Sequence, residues 1–150
     1  MWIYLSGSDG LPPIVLYEYQ AGRNGDFPKA FLDGFSGIVQ CDGYSGYNKV
    51  EDVILAVCSA HCRRKFYEAL PAHQQKQQKL LDINSETDIK DIPLPGPEQM
   101  KGMIPAEIGL IFFNKLFFME KGLKGMAPEQ RKEKRLEKEA PVWEKFWEWI

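Results

Sequence analysis

The hydrophobic and polar positions of the first 35 residues predict a strand hairpin followed by a short helix. Two runs rich in β-branched and aromatic residues, Trp2 to Ser6 and Ile14 to Gln20, are separated by the turn-forming stretch from Gly7 to Pro13. From Asp26 to Phe35 the apolar side chains recur at helical spacing, and Pro28 lies near the start. These patterns favour a β-hairpin and then a short helix.

Two further apolar runs are typical of strands that are buried on both faces. Gly37 to Cys41 is compact and stops at Asp42, and Val53 to Ala60 is almost entirely apolar. The stretch between them, Tyr44 to Val50, has room for a turn or a short helix. From His61 to Leu70 the spacing becomes helical. The predicted order of the first 70 residues is therefore β, β, α, β, short α, β, α.

The composition changes after residue 70. Residues 71–101 are rich in glutamine, acidic residues and proline, which indicates a linker or a mobile insert. Ile104 to Leu123 and Pro128 to Ile150 each place apolar residues on one helical stripe, which predicts an antiparallel helical hairpin. Pro141 is expected to kink or break the second helix. The predicted fold is an α/β class, with a partial mixed sheet in residues 1–70, a linker in 71–101 and a helical hairpin in 102–150.

Composition and charge narrow the class of protein. Of the 150 residues, 44% are hydrophobic and 27% charged, which is ordinary for a folded globular chain. The sequence shows no apolar run near the length of a membrane span and no signal peptide, so a cytoplasmic protein with no membrane partner is expected. The net charge of -2 means that any contact with nucleic acid must use local patches. There are two basic patches: His61, Arg63, Arg64 and Lys65; and Arg131, Lys132, Lys134, Arg135 and Lys138.

Asp42 is the first candidate for chemistry. Functional side chains gather at the carboxyl ends of strands in α/β sheets, and Asp42 ends a predicted strand. Gly43 allows the chain to turn sharply, which leaves the carboxylate accessible to a cation. An Asp-Gly pair is also a common turn, and the strand pattern alone favours that simpler interpretation.

The basic residues that follow the next strand are a second candidate. His61, Arg63, Arg64 and Lys65 begin the predicted helix, on the sheet edge where Asp42 is expected. Arginine and lysine there could contact a DNA backbone without reading its sequence. The alternative is a solvated helix face paired with Glu68, and the local pattern alone slightly favours it.

Two other patterns favour structural roles. Cys58, His61 and Cys62 could suggest zinc, but a closed zinc site needs four ligands, and only Cys41 and His73 remain as candidates. Small buried thiols are the favoured interpretation. The aromatic residues of the two C-terminal helices lie at helical spacing, which is typical of a core or a partner interface rather than a base-stacking surface.

The motifs taken together resemble a known family. GFSGIVQCDGYSGYN followed by VCSAHCRRKF, and preceded by PPIVLYEYQAGRNGDFPKAFL, is similar to the central domain of insertion-sequence 66 transposases. The segment FNKLFFMEKGLKGMAPEQRKEKRLEKEAPVWEKFWEWI resembles the helical region of the same family. The resemblance covers nearly the whole chain, and the departures at Ser59 and Cys62 are modest. It reverses the preference for a simple turn at Asp42.

The resemblance implies a ribonuclease H-like fold in which two aspartates and a glutamate hold two divalent ions, Mg²⁺ or Mn²⁺, for DNA cleavage and strand transfer. Two ions about 3.5 to 4 Å apart require several carboxylates. Asp42 matches the second acid of the family and would be both catalytic and a metal ligand. The first acid belongs to a strand that precedes the family segment resembling Met1 to Tyr4, and the glutamate to a segment after the helices.

The expectation is therefore a transposase fragment that is truncated at both ends and inactive alone. The expected partners are DNA, which His61, Arg63, Arg64 and Lys65 would contact, and either a second copy or the full-length transposase. An alternative is a non-catalytic remnant that binds DNA or associates with the transposase. A small zinc protein is a third hypothesis.

Overall fold

The computed structural model describes residues 1–7, 11–76 and 92–150, and it shows a mixed α/β protein. The chain forms two compact units, Met1–Cys58 and Ser59–Ile150. The strands belong to the first unit, and the second is helical. The predicted α/β class is confirmed at this level.

The first unit begins with the predicted hairpin. Strands β1 (Trp2–Leu5) and β2 (Val15–Glu18) pair antiparallel, with Trp2 opposite Glu18. Just beyond the strands, the Ser6 backbone N–H donates a hydrogen bond to the carbonyl of Ile14 at 3.0 Å. Two runs rich in β-branched and aromatic residues on both sides of a turn-forming stretch favour this pairing, because such side chains fit the pleated surface of a sheet.

A parallel pair of strands follows in the same unit. Strands β3 (Gly37–Cys41) and β4 (Val53–Val57) lie in register along their whole length, and a 3₁₀ helix, Ser45–Lys49, lies in the connection between them. The predicted single mixed sheet is not observed among the described residues, because β1 pairs with β2 and β3 with β4 in two separate two-stranded sheets.

Contacts between aromatic rings join the elements of the first unit. Helix α1 (Asp26–Phe31) is shorter than predicted and brings Phe31 to stack on Tyr4, with ring centroids 3.7 Å apart. Trp2 is buried, and its ring contacts those of Tyr44 and Tyr47 at centroid distances of 6.3 and 5.8 Å. The hairpin is therefore packed against α1 and against the 3₁₀ region by ring contacts.

The second unit is a set of helices that pack around one long helix, Pro105–Lys121. Residues 72–76 are also helical, whereas 77–91, the middle of the predicted linker, lie outside the described residues. The helices are α2 (Ser59–Glu68), α3 (Pro97–Met100), α4 (Pro105–Lys121), α5 (Pro128–Lys134), a π-helical turn (Arg135–Glu139) and α6 (Ala140–Trp149). No helix in the described part of the chain is long and apolar enough to span a membrane.

The core of the second unit lies between α4 and α6. It consists of buried apolar side chains: Ile108, Phe112, Phe113, Leu116, Val142 and Phe146. Helix α2 packs on α4 and contributes Phe66 to this core. Helix α2 was grouped with the strands in the predicted domain of residues 1–70, but its apolar side chain joins the helical unit.

Pro141 was expected to kink or break the second C-terminal helix, and it does not break it. Its missing backbone N–H falls just after a change of helix type rather than within a regular α-helix. The residues before it widen into the π-helical turn Arg135–Glu139, so the helical path continues from α5 into α6. Such a wider turn accommodates a residue that cannot donate a normal helical hydrogen bond.

Candidate functional site

Asp42 directly follows the end of β3, at the carboxyl end of a parallel strand pair. Its Oδ1 accepts a hydrogen bond from the backbone N–H of Tyr44 at 3.0 Å, which closes a tight turn. Gly43 has a φ of 85°, in the left-handed region that glycine adopts without strain. Asp42 therefore makes the turn, and its other oxygen lies at the end of the strand.

Arg23 supplies a cation to that other oxygen. Its Nη2 lies 2.8 Å from Oδ2 of Asp42, and its guanidinium lies over the ring of Tyr44, 4.6 Å from the centroid. The Tyr44 hydroxyl in turn donates to the backbone carbonyl of Arg23. Arg23 was not predicted from the sequence, because it lies 19 residues from Asp42 in a loop whose only signal is one basic residue between Gly22 and Gly25.

The loop that carries Arg23 borders an open groove of about 470 Å³. The groove is lined by Met1, Trp2, Ile3, Gln20, Ala21, Gly22, Arg23 and Tyr47. Burial raises the pKa of the Tyr47 hydroxyl, and the negative charge of Asp42 adds to this effect. Tyr47 offers a neutral hydroxyl group at physiological pH, as tyrosine ordinarily does, and the raised pKa reinforces this.

The donors near Asp42 do not amount to a metal centre. Among the described residues no three histidine, cysteine, aspartate or glutamate side chains are grouped so that they could hold a metal ion. The Oδ2 oxygen of Asp42 also already accepts a guanidinium. Since a two-ion site needs several carboxylates, the described residues do not by themselves fit Mg²⁺ or Mn²⁺ of the expected kind.

The four predicted DNA-binding residues lie on α2, in the second unit, and they divide into two pairs. Arg63 donates from Nε to Oδ1 of Asn114 on α4 at 2.7 Å, and His61 is half-buried with its Nδ1 atom enclosed. Arg64 and Lys65 are exposed, with Lys65 3.4 Å from Glu68. Arg63 is thus tied to α4 and His61 is half-buried, whereas Arg64 and Lys65 are exposed to solvent.

The second basic patch is tied into the helical unit by its arginines. Arg135 forms a two-bond ion pair with Glu120, with Nη2 to Oε2 at 2.9 Å. Arg131 donates from Nη2 to the Met126 carbonyl at 3.0 Å. Glu139 is buried beside Glu120, and burial, followed by the charge of Glu120, raises the pKa of its carboxyl to about 7. The arginines of this patch therefore stabilise helix packing.

The three cysteines are thiols in this structure. Cys41 is buried at the end of β3, whereas Cys58 and Cys62 are partly buried. Cys58 is the last residue of the first unit, and its backbone N–H donates to the Cys41 carbonyl at 2.8 Å. Cys62 packs against the core of the second unit, as expected for a small apolar side chain.

Comparison with known families identifies the class of protein. The Transposase IS66 family matches residues 1–150 of the chain. Because the match extends over the whole chain, the protein belongs to the IS66 family of transposases. The family predicted from the motifs around Asp42 and α2 is thereby confirmed.

Two similar proteins come from Sinorhizobium fredii. The uncharacterized protein y4hP is 29% identical over 147 residues, which cover 93% of this chain and 24% of y4hP. The uncharacterized protein y4qI is 45% identical over 67 residues, or 38% of this chain and 12% of y4qI. The chain therefore spans a quarter or less of each of these relatives. No solved structure matches.

Proposed function

We propose that this chain is part of a DDE transposase that, in its intact form, cuts and joins DNA strands to move an insertion sequence. Asp42 is then one of the acidic residues of a ribonuclease H-like catalytic centre. The observation that carries the proposal is the position of Asp42 after a parallel strand, where Gly43 turns the backbone away from the carboxylate. Membership of the IS66 family supports the assignment.

The basic residues of α2 are proposed to contribute to DNA binding in different ways. Arg64 and Lys65 are exposed and would meet backbone phosphates directly. Arg63 would hold the helix in place, since it already donates to Asn114, and His61 is half-buried beside it in the chain. The net charge of -2 predicts weak binding that falls steeply with salt concentration. The proposed site of action is the cytoplasm.

The chain by itself is proposed to be inactive. Catalysis with Mg²⁺ or Mn²⁺ in this class requires several carboxylates around the ions, and among the described residues Asp42 has no such companions. The further acidic residues are proposed to come from additional sequence or from another chain. A nicking assay on supercoiled DNA with Mg²⁺ or Mn²⁺ tests this. Asp42-dependent cleavage by the 150 residues would contradict it.

The transposase assignment itself is tested with the gene in its genomic context. The protein expressed from that context is expected to cleave DNA at the ends of the element, and Asp42→Asn should abolish cleavage. Asp52→Asn is the matched control, because Asp52 is an exposed aspartate with a φ of 56°, which asparagine also tolerates. Full activity of the Asp42→Asn protein would rule out a catalytic role.

A second candidate function is a non-catalytic remnant that binds DNA or associates with a transposase. Large apolar side chains remain exposed along the last helical stretch of the second unit: Leu136, Trp147 and Ile150. Exposed apolar groups at helical spacing favour a partner helix. Size-exclusion chromatography with light scattering tests this candidate, and a stable monomer that does not bind the transposase would count against it.

A further inference from the structure

Arg23 brings a positive charge next to the carboxylate that the proposed function places at the catalytic centre. Its Nη2 lies 2.8 Å from Oδ2 of Asp42, and its guanidinium lies over the ring of Tyr44, 4.6 Å from the centroid. A guanidinium has several N–H donors, and the ion pair with Asp42 uses one nitrogen. Arg23 can therefore bind a second anion while it stays on Asp42.

The groove that Arg23 borders offers donors to an anion. Of the described residues that line it, none is acidic, although the whole chain has a net charge of -2. Arg23 and Tyr47 supply a guanidinium and a phenolic hydroxyl, whereas the amide of Gln20 already donates to Glu18 at 2.7 Å. The groove volume of about 470 Å³ lies within the range of ligand sites, ~300 to 1,000 Å³. The lining therefore favours an anionic group.

Tyr47 is the second donor of the groove. Burial, followed by the charge of Asp42, raises the pKa of its hydroxyl, so the neutral form is reinforced. A neutral phenol donates a hydrogen bond to a phosphate oxygen, whereas a phenolate would repel it. The Tyr47 ring packs edge-on against Trp2 at a centroid distance of 5.8 Å. The hydroxyl is therefore carried by a ring that is packed in place.

We propose that the groove beside Asp42 binds the sugar-phosphate backbone of DNA, with Arg23 as a charged contact to a phosphate and Tyr47 as a neutral hydrogen-bond donor. The proposal rests on the proposed function, because a catalytic Asp42 requires the reacting strand to pass beside it. Arginine suits this position, since its planar guanidinium pairs with phosphate oxygens. The groove adds a DNA contact in the first unit to that of Arg64 and Lys65 in the second.

The loop that carries Arg23 is both accessible and anchored. The Arg23 side chain is 65% exposed, so a DNA strand can reach it. A Cβ at the preceding residue, Gly22, would meet no described atom within 4 Å, so the loop leaves open space there. The Arg23 carbonyl accepts the Tyr44 hydroxyl, which holds the backbone. A phosphate contact at this position carries no sequence information, so binding here should not depend on DNA sequence.

The experiment measures how the 150-residue chain binds short labelled duplexes of two unrelated sequences, by fluorescence anisotropy at several salt concentrations. Arg23→Gln is expected to weaken binding about two- to fivefold with both sequences. It should also reduce the slope of log affinity against log salt concentration by about one, because one phosphate contact is lost. Tyr47→Phe should weaken binding less and leave the slope unchanged, because the hydroxyl carries no charge.

Lys49→Gln is the matched control for the loss of charge. Lys49 is also exposed, lies in the first unit and pairs with a carboxylate, that of Asp26, at 2.7 Å. It does not line the groove, so Lys49→Gln should change the affinity less than about 1.5-fold. Arg23→Lys keeps the charge and should retain the wild-type salt slope. Dispersed amide spectra check that each variant is folded.

The possible results separate this proposal from the others. Unchanged affinity and slope in Arg23→Gln would overturn the groove contact and leave that of Arg64 and Lys65 standing. An equal loss in Lys49→Gln, a slope in Arg23→Lys as low as in Arg23→Gln, or no binding by the wild-type chain at low salt would overturn it as well. The catalytic role fails separately, if Asp42→Asn cleaves fully in the protein expressed from its genomic context, and a measured contact of Arg23 would survive that result.

Discussion

The ring of Phe66 on α2 lies directly against the backbone of Gly109 on α4. A Cβ at position 109 would meet three atoms of that ring, the nearest at 2.3 Å. Phe66 also packs against the rings of Phe113, Phe146 and Trp149. The absence of a side chain at Gly109 therefore lets α2 approach α4 closely enough for Phe66 to join the core.

Gly109→Ala is accordingly expected to destabilise the second unit by about 1 to 3 kcal/mol, because the Phe66 ring must move out of a packed core. The higher helix propensity of alanine offsets only part of this cost. Chemical denaturation measures the change in the free energy of unfolding. Gly102→Ala is the control, since its Cβ would find its nearest neighbour at 3.9 Å and should change stability little. Equal effects at both positions would contradict the close packing.

Phe112 is the centre of the second unit, with 0% of its surface exposed. Phe112→Ala should lower the free energy of unfolding by about 3 to 5 kcal/mol, because it removes a buried ring and leaves a cavity. Trp147, also an aromatic residue of this unit, is 66% exposed, and Trp147→Ala should change stability by less than about 0.5 kcal/mol. Thermal unfolding monitored by circular dichroism compares the two, and a larger loss in Trp147→Ala would refute the assignment of the core.

The buried carboxyl of Glu139 should make stability depend on pH. Its pKa is raised from 4.5 to about 7 in the folded state, so the folded protein holds a proton that the unfolded chain releases. The stability from this group is present below about pH 4.5 and is lost as the pH rises to about 7. Glu120 affects stability outside this pH window, because the pKa of its carboxyl is lowered. The stability that Glu120 contributes is lost only as the pH falls below 4.5, the ordinary pKa of a glutamate.

Glu139→Gln should therefore flatten the stability profile between about pH 4.5 and 7, which for the wild type is expected to fall by about 1 to 2 kcal/mol. Urea unfolding at a series of pH values measures this slope. Glu137→Gln is the control, because Glu137 is exposed, pairs with Lys134, and has a pKa lowered by that lysine. A wild-type slope that persists in Glu139→Gln would show that another group is responsible.

The exposed basic residues of α2 and the packed Arg63 should respond differently to mutation. Arg64→Gln with Lys65→Gln is expected to weaken DNA binding and to lower its dependence on salt, with little change in stability, because both side chains are exposed. Arg63→Gln should instead lower stability by about 1 kcal/mol, because it removes the charged donor to Asn114. Fluorescence anisotropy with labelled duplex DNA at several salt concentrations, together with denaturation, separates these effects. Unchanged DNA affinity in the double variant would exclude Arg64 and Lys65 from the interface.

The sequence by itself determined the local features of this protein. The hairpin of β1 and β2 and the strand that precedes Asp42 follow from patterns that extend over a few neighbouring residues, and the family follows from the order of several such motifs along the chain. β-branched and aromatic runs, turn-forming glycine and helical spacing act through the local backbone, which is why they can be recognised without a structure. The turn at Asp42 was one of the two interpretations drawn from the sequence.

Only the tertiary structure decided which distant side chains meet. Arg23 lies 19 residues from Asp42, and Arg63 lies 51 residues from Asn114, so no local pattern links either pair. Helix α2 packs with the helical unit because Phe66 fits against Gly109, a contact that depends on the relative position of two helices. Pairing across such separations depends on how whole elements pack, and the partner of Asp42 is therefore known only from the fold.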